Sequence, residues 1–144
     1  MKKIFTPFYN KIVGSLTKKG NKISAKRILD NSLTQVSKKI RYPIHNILKD
    51  IQSKLHCKVE IRRIKIRSNV HMVPFPLSLT RENYLKVKWI LDEVKKNDRR
   101  IKMFEKLSTE IIDLLQNKKS KILLKKRYMY RDVIANQSNI HYRW

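Results

Sequence analysis

Residues 57–77 read CKVEIRRIKIRSNVHMVPFPL, and this stretch decides the fold because its apolar period differs from that of its flanks. Val59 and Ile61 alternate with charged residues, which is the two-residue period of a β-strand. Its second half contains Pro74 and Pro76, and proline is tolerated in a sheet mainly on an edge strand. The stretch therefore predicts a two-stranded β-hairpin arm and excludes a closed sheet.

The turn of this hairpin is predicted over residues 67–69, with the asparagine as the residue best able to adopt a positive φ angle. Such a turn would pair Ile66 with Val70 and, nearer the base, Ile61 with Phe75. In each strand, the apolar residues near the base and those near the tip would then lie on opposite faces of the hairpin, and the change would occur at the same height in both strands. The base would pack on the body by one side, and the outer half would present the opposite side to a partner.

Apolar residues at helical spacing on both sides of the hairpin predict about six helices. The third is the clearest, because proline at position 43 suits its first turn and its apolar residues from Ile44 to Leu55 recur every three or four positions. Residues after Gln116 are predicted to form a basic connection before a weaker last helix. The predicted helices cover about 8–18, 22–40, 43–55, 78–96, 97–115 and 128–139.

Together these elements predict a mainly α fold: a single helical domain over residues 1–144 with a protruding β-hairpin arm at 57–77. Residues 1–9 are predicted to form a basic N-terminal arm, and residues 128–144 a C-terminal helix and tail. No internal repeat or linker divides the chain.

The charge of the chain indicates its partner. The 35 Lys and Arg residues exceed the 11 Asp and Glu residues, which gives a formal net charge of +24 over 144 residues. Such a surface repels itself, so a stoichiometric polyanion is expected, and nucleic acid is favoured over an anionic membrane. The longest uncharged run, residues 68–80, is shorter than the roughly 20 apolar residues that span a bilayer, so no membrane span is predicted. No membrane partner is expected.

The sequence offers little to an enzyme. Its four histidines lack metal-ligand spacing, its two glycines form no phosphate-binding loop, and its single cysteine cannot build a disulfide framework. Cys57 beside His56 is disfavoured as a thiol nucleophile, because neighbours on a strand point to opposite faces. Carboxylates such as Glu60 and Glu93 are interpreted as surface charge balance. The predictions are therefore no catalysis, no metal site and no cofactor.

Clusters of positive charge predict the binding residues, and RNA is favoured over DNA because no recognition helix or basic zipper is present. Lysine outnumbers arginine by 24 to 11, which favours neutralising phosphates over reading bases. For Tyr128, packing in the core is an equal alternative to stacking on a base. The predicted RNA-binding residues are Lys2, Lys3, Lys18, Lys19, Lys22, Arg27, Arg62, Arg63, Lys65, Arg67, Lys118, Lys119, Lys121, Lys125, Lys126, Arg127 and Arg143. The predicted base-stacking residues are Tyr128, Tyr142 and Trp144.

The C-terminal end carries a family resemblance. The residues His141-Tyr142-Arg143-Trp144, preceded by Ala135-Asn136, resemble the ending of the small ribosomal subunit protein seven family. Further similar residues occur in the family's order from Asn10 onward, which makes the set specific. They are Asn10-Lys11-Ile12, Gly20, Lys22, Ala25, Arg27-Ile28, Pro43, Val59-Glu60-Ile61-Arg62, Val73-Pro74 and Lys88-Trp89.

This resemblance implies a helical body of about six helices with a long hairpin, bound to the three-prime major domain of small-subunit ribosomal RNA. It also implies nucleation of head assembly, a position near exit-site tRNA with mRNA nearby, neighbouring head and platform proteins, and no homo-oligomer. The N-terminal arm, residues 18–27, Arg62 and Arg63 would face the RNA. The hairpin tip departs from the bacterial pattern, because Arg67-Ser68 stand where those members carry a glycine pair.

Two further function classes compete with a structural ribosomal protein. One is a non-ribosomal RNA-binding architectural or regulatory protein, and the other is an RNA-processing enzyme, which needs clustered carboxylates or histidines. Abundant Lys, Ile and Asn point to AT-rich codons. The expected location is the small ribosomal subunit of the mitochondrial matrix, or of the cytoplasm of an AT-rich organism.

Overall fold

The computed structural model describes residues 6–96, 100–116 and 120–143, and its elements confirm a mainly α fold with one antiparallel hairpin. A short 3-10 helix follows the last α-helix, and we call it the tail helix. The elements in chain order are α1 (Thr6–Leu16), α2 (Lys22–Ile40), α3 (Ile44–Lys54), β1 (Val59–Ile66), β2 (Asn69–Pro76), α4 (Leu79–Lys96), α5 (Met103–Leu115), α6 (Lys121–Ala135) and the tail helix (Gln137–Arg143).

Local signals at its two ends fix α2, whose predicted bounds are confirmed. The Asn21 side chain accepts a hydrogen bond of 3.1 Å from the backbone N–H of Ser24, which satisfies one of the first unpaired donors of the helix. Lys38 and Lys39 lie in the last turn, where positive charge is favourable. The helix ends at Ile40, and Arg41 at the C-cap position adopts a left-handed conformation with φ of 55°.

One hydrophobic core holds the helices together. It runs from α1 through α5 and includes the first turn of α6, where Ile122 is fully buried. Phe8 is also fully buried, and α1 begins at Thr6, so the prediction of an arm over residues 1–9 is wrong for its second half. Lys2 and Lys3 lie outside the described residues.

The register of the hairpin differs by one residue from the predicted one. The loop is Arg67-Ser68, and Arg67 rather than the asparagine takes the positive φ, at 54°. Ile66 therefore faces Asn69, and Ile64 faces His71. Because side chains alternate along a strand, this slip places Ile64 and Ile66 on the face opposite to Val70, so the predicted apolar pairs do not form.

The late part of the chain also differs from the prediction. The segment predicted as a basic connection is helical from Lys121 onward, with Ser120 at the N-cap position of α6. The many lysines and the arginine of this segment hid the helical spacing of its apolar residues, of which Ile122 is buried. The fifth helix begins at Met103, so Ile101, which falls within the predicted helix, lies before the observed one and is exposed. The predicted start of this helix, at about position 97, lies outside the described residues.

The tail helix packs along β2. The side-chain amide of Asn139 donates a hydrogen bond of 3.1 Å to the carbonyl of Met72, and the Arg143 Nε donates one of 2.8 Å to the carbonyl of Pro74. The ring of Tyr142 lies 4.4 Å from that of His71, measured between centroids. The tail therefore covers the middle of β2, while residues 67–70 at the tip are exposed.

Candidate nucleic-acid interface

A continuous row of cations and aromatic rings, linked by one buried carboxylate, joins α1, α4 and the hairpin. We call it the basic–aromatic strip. Its members, in spatial order, are Lys11, Tyr84, Arg81, Glu60, Arg62 and Phe75.

Tyr84 is the aromatic centre of the strip. The Lys11 Nζ lies 5.5 Å from its ring centroid, and the guanidinium carbon of Arg81 lies 5.2 Å from it. Both distances are within the range of a cation–π interaction. The side chain of Tyr84 is exposed rather than part of the core. This position leaves a ring and two cations together at the surface.

Glu60 anchors the second half of the strip. Arg62 Nε donates a hydrogen bond of 2.7 Å to its Oε1, and Arg81 Nε donates one of 2.9 Å to its Oε2. The carboxylate side chain is only 6% exposed, whereas those of Arg62 and Arg81 are 51% and 46% exposed. The guanidinium carbon of Arg62 also lies 5.1 Å from the centroid of the Phe75 ring. The interpretation of Glu60 as surface charge balance is therefore wrong, since it is a buried anchor for two exposed guanidinium groups.

Sequence reasoning missed Lys11, Arg81 and Tyr84 as site residues. A usable signal was present, because Arg81, Tyr84 and Lys88 follow i, i+3 and i+7 spacing and so share one face of a helix. The more numerous apolar residues of α4 give the stronger pattern, so the sequence of this helix indicates a core-facing helix rather than a binding face.

Many of the predicted RNA-binding cations are exposed and lack competing partners. They lie at the α1–α2 junction, on the hairpin and on α6. Within the described ranges their side chains have no hydrogen-bond or ion-pair partner, so they are available to phosphates. They are Lys18, Lys19, Lys22, Arg27, Arg63, Lys65, Arg67, Lys121 and Arg127.

Lys125 already has a partner within the protein. Its Nζ lies 2.6 Å from Oε1 of Glu93, whose side chain is only 3% exposed, and Lys96 approaches the same oxygen at 3.2 Å. Burial alone would raise the pKa of Glu93, but hydrogen bonds from Lys125 and Lys96 hold this pKa below its ordinary value. The interpretation of Glu93 as surface charge balance is wrong, since it ties α4 to α6.

Two more predicted cations bind the backbone. Lys126 Nζ donates a hydrogen bond of 2.8 Å to the carbonyl of Lys54, and burial lowers the pKa of Lys126. Arg143 donates to Pro74 in the tail contact described above. Both groups stabilise the fold, so a phosphate would compete with these bonds.

The predicted stacking residues have different environments. Tyr128 is 53% exposed, with the Arg131 guanidinium 5.2 Å from its ring centroid, so its ring is accessible and the core alternative is wrong. Tyr142 is half-buried, and its ring centroid lies 3.8 Å from that of His141 and 4.4 Å from that of His71. Trp144, Lys118 and Lys119 lie outside the described residues.

The cysteine is part of the core. Cys57 is fully buried, and burial is the main cause that raises the pKa of its thiol, so the nucleophilic thiolate is disfavoured. Within the described ranges, no group of three or more His, Cys, Asp or Glu residues is placed to hold a metal ion. None of the helices in the same ranges is long and apolar enough to cross a membrane.

Comparison with known proteins identifies the family. The sequence profile of the family described as ribosomal protein S7p/S5e matches residues 2–137. The chain belongs to this family. Members of the S7p/S5e family are structural, non-enzymatic ribosomal proteins, so the prediction that the chain is not an enzyme is confirmed, as is the family resemblance.

Similar members of the S7p/S5e family come from mitochondria and bacteria. The chain is 28% identical to small ribosomal subunit protein uS7m of Reclinomonas americana over 134 residues, covering 93% of the chain and 83% of that protein. It is 29% identical to uS7 of Thioalkalivibrio sulfidiphilus over 134 residues, covering 93% and 84%. It is 27% identical to uS7m of Gallus gallus over 154 residues, covering 96% of the chain and 66% of that protein. The chain thus spans about two thirds of the length of this animal relative.

Proposed function

We propose that this protein is a structural constituent of the small ribosomal subunit and binds the ribosomal RNA of that subunit. The observation that carries this proposal is the basic–aromatic strip, which presents exposed cations and a ring side by side on a chain of the S7p/S5e family. The names of the relatives, all small ribosomal subunit proteins, support the same assignment.

The strip carries groups that can bind both the phosphates of the RNA backbone and the faces of unpaired bases. Its guanidinium groups are held by Glu60 yet half exposed, and each guanidinium has more N–H donors than that carboxylate uses. A base that stacks on exposed Tyr84 would take the place of Lys11 or Arg81 over its ring. Because exposed cations also lie on the α1–α2 junction and on α6, the RNA would contact the protein from several sides.

The finer parts of the proposal concern the position in the subunit. The RNA partner is the three-prime major domain, and binding nucleates assembly of the subunit head. The exposed hairpin tip at residues 67–70 and the C-terminal segment approach exit-site tRNA and a platform protein, with mRNA nearby. The relatives named uS7m support a mitochondrial ribosome as the location.

The test uses the full chain carrying an affinity tag in its own cells. Sucrose-gradient fractions are analysed by mass spectrometry, and ultraviolet crosslinking maps the bound RNA positions. A variant with Arg63→Gln and Lys65→Gln removes two exposed cations from the hairpin. The matched control, with Lys38→Gln and Lys39→Gln, removes two exposed cations from the last turn of α2.

We expect one copy of the protein in each small subunit, with crosslinks in the three-prime major domain. The hairpin variant should lower the slope of log binding constant against log salt by up to about 1.8, which is two phosphate contacts at about 0.9 each for duplex RNA treated like duplex DNA. The α2 control should leave the slope unchanged. Recovery of the protein only outside ribosomal fractions would refute the proposal.

A further inference from the structure

A second surface feature lies beside the strip, and the proposed function assigns it no ligand. It is a groove of about 720 Å³ between the start of α1, the length of α3 and the first turns of α4. We call it the α3 groove. Its size is within the usual range of small-molecule sites, which is about 300–1,000 Å³. Lys11 belongs both to its wall and to the basic–aromatic strip, so the two features are continuous.

The floor of the α3 groove is a closed ion pair. Lys86 Nζ lies 2.6 Å from Oε1 of Glu82, and these side chains are only 5% and 8% exposed. Burial by itself would raise the pKa of Glu82, but hydrogen bonds from Lys86 and His56 hold this pKa below its ordinary value. The floor therefore carries no net charge, and the positive charge of the groove comes from Lys11 and Lys49 on its walls.

The imidazole of His56 is held in place by this floor. Its Nδ1 lies 2.6 Å from Glu82 Oε1, and the backbone N–H of Cys57 donates to the same oxygen at 3.3 Å. The His56 side chain is nevertheless 52% exposed. Because the carboxylate engages Nδ1, the ring orientation is fixed, and Nε2 is left for a ligand. His45 provides a second imidazole on the groove wall.

The remaining wall residues supply hydrogen bonds that a simple phosphate site does not need. Gln52 and Asn83 are half-buried amides, each with donors and an acceptor. Unpaired bases are recognised by such groups at their edges and by imidazole rings that stack on their faces. An acidic peptide would use the two lysines but would have no use for this combination.

We propose that the α3 groove binds a single unpaired nucleotide of RNA. Lys11 and Lys49 contact its phosphates, His45 and His56 pack against the base, and Gln52 and Asn83 bind the base edge. The proposal rests on the proposed function in one respect, since a strand bound along the strip reaches the groove at Lys11. It adds a site that recognises the base rather than the backbone.

The four histidines of the chain make a direct test possible. His45 and His56 line the groove, whereas His71 and His141 lie in the tail contact on β2 and serve as internal references. Their imidazole C–H resonances are assigned by single His→Gln variants of the full chain. The protein is then titrated with an RNA trinucleotide, an abasic trinucleotide with the same phosphates, and a polyglutamate peptide.

We expect the RNA trinucleotide to shift the His45 and His56 resonances and to leave those of His71 and His141 in place. Asn83→Ala and Gln52→Ala should each weaken binding about tenfold, because each removes hydrogen bonds to the base edge. The control with Lys38→Gln and Lys39→Gln should bind as the wild type does. Unchanged reference resonances in each variant would show that it folds.

Three outcomes would overturn the proposal. The abasic trinucleotide could bind as tightly as RNA, the peptide could give the same shifts, or the shifts could fall on the reference histidines instead. A protein that is found in small subunits but shows no groove shifts contradicts this inference alone. A protein that shows groove shifts but is absent from small subunits contradicts the proposed function alone.

Discussion

Two lysines on one face of α6 have different surroundings, and we expect them to have different roles. Lys121 and Lys125 are one helical turn apart, and the sequence predicts both as RNA-binding residues. Lys121 is exposed and has no partner within the described ranges, whereas Lys125 lies 2.6 Å from the buried Glu93. We predict that Lys125→Gln destabilises the fold and that Lys121→Gln weakens RNA binding, with little overlap between the effects.

The size of the first effect depends on the burial of Glu93. Removing one partner of a buried ion pair costs about 3–5 kcal/mol, because an unpaired charge is left in the interior. Lys96 remains 3.2 Å from the carboxylate after Lys125 is replaced, but its own side chain is 65% exposed. We therefore expect a loss of about 2–3 kcal/mol in the free energy of unfolding, somewhat below the full penalty.

Lys121→Gln should change the free energy of unfolding by less than about 0.5 kcal/mol, as for other exposed positions. It should lower the salt slope of RNA binding by about 0.9 if the contact is to duplex RNA, treated like duplex DNA, or by about 0.7 for a single strand. Lys125→Gln, measured where it is folded, should leave this slope within error of the wild type.

Urea denaturation and binding titrations at several salt concentrations measure the two quantities on the same preparations. The reasoning is refuted if Lys125→Gln keeps wild-type stability and flattens the salt slope. That result would mean that Lys125 leaves Glu93 and contacts a phosphate.

The pH dependence of stability gives an independent check on the same contact. The pKa of Glu93 is lowered in the folded protein, so its contribution is present above the unfolded pKa and is lost as pH falls through the folded value. The stability difference between wild type and Lys125→Gln should therefore shrink in acid and persist at neutral pH. A difference that does not vary with pH would exclude the carboxylate as its source.

Three further changes test other contacts. Arg67→Gly should raise the free energy of unfolding by about 1 kcal/mol, because Arg67 adopts a left-handed conformation that glycine tolerates, and urea denaturation should show it. Tyr142→Ala should loosen the tail helix by about 0.5–1.5 kcal/mol, and hydrogen exchange should then accelerate in the tail and β2 but not in α2. Tyr9 should titrate late in ultraviolet absorbance, since burial and the hydrogen bond to Asp30 raise its pKa to about 12, and Asp30→Asn should lower this value.

Elements with their own start and stop signals were predictable from the sequence. The α2 helix has Asn21 before it, an unbroken apolar stripe and lysines in its last turn, and its bounds are confirmed. The hairpin was also predictable as a hairpin, because Pro74 and the two-residue period leave few alternatives. Its register was not, since a one-residue slip depends on whether Arg67 or Asn69 takes the positive φ. Conformational propensity favours asparagine at a positive φ angle, but the observed pairing of the strands gives the positive φ to Arg67.

The candidate site was harder to predict because its geometry depends on contacts between distant segments. A count of charges treats Glu60, Glu82 and Glu93 as solvated acids that dilute the positive charge. The structure buries all three, and each carboxylate contacts two basic side chains. Nothing in the local sequence around Glu93 indicates that Lys125 will reach it. Composition thus predicted the class of partner, whereas the fold determines which cations are available to that partner.

The anchored guanidinium groups of the strip lead to a prediction that charge counting reverses. Glu60→Gln removes one negative charge and so raises the net charge of the protein by one, and electrostatics alone therefore predicts tighter RNA binding. It also releases Arg62 and Arg81 from a buried carboxylate, and ordering each long side chain on binding then costs about 0.5–1.5 kcal/mol. If the strip binds RNA, we expect weaker binding at physiological salt in fluorescence anisotropy, by about 1–3 kcal/mol before the small gain from the added charge. Tighter binding by Glu60→Gln would show that charge, and not the geometry fixed by Glu60, sets the affinity.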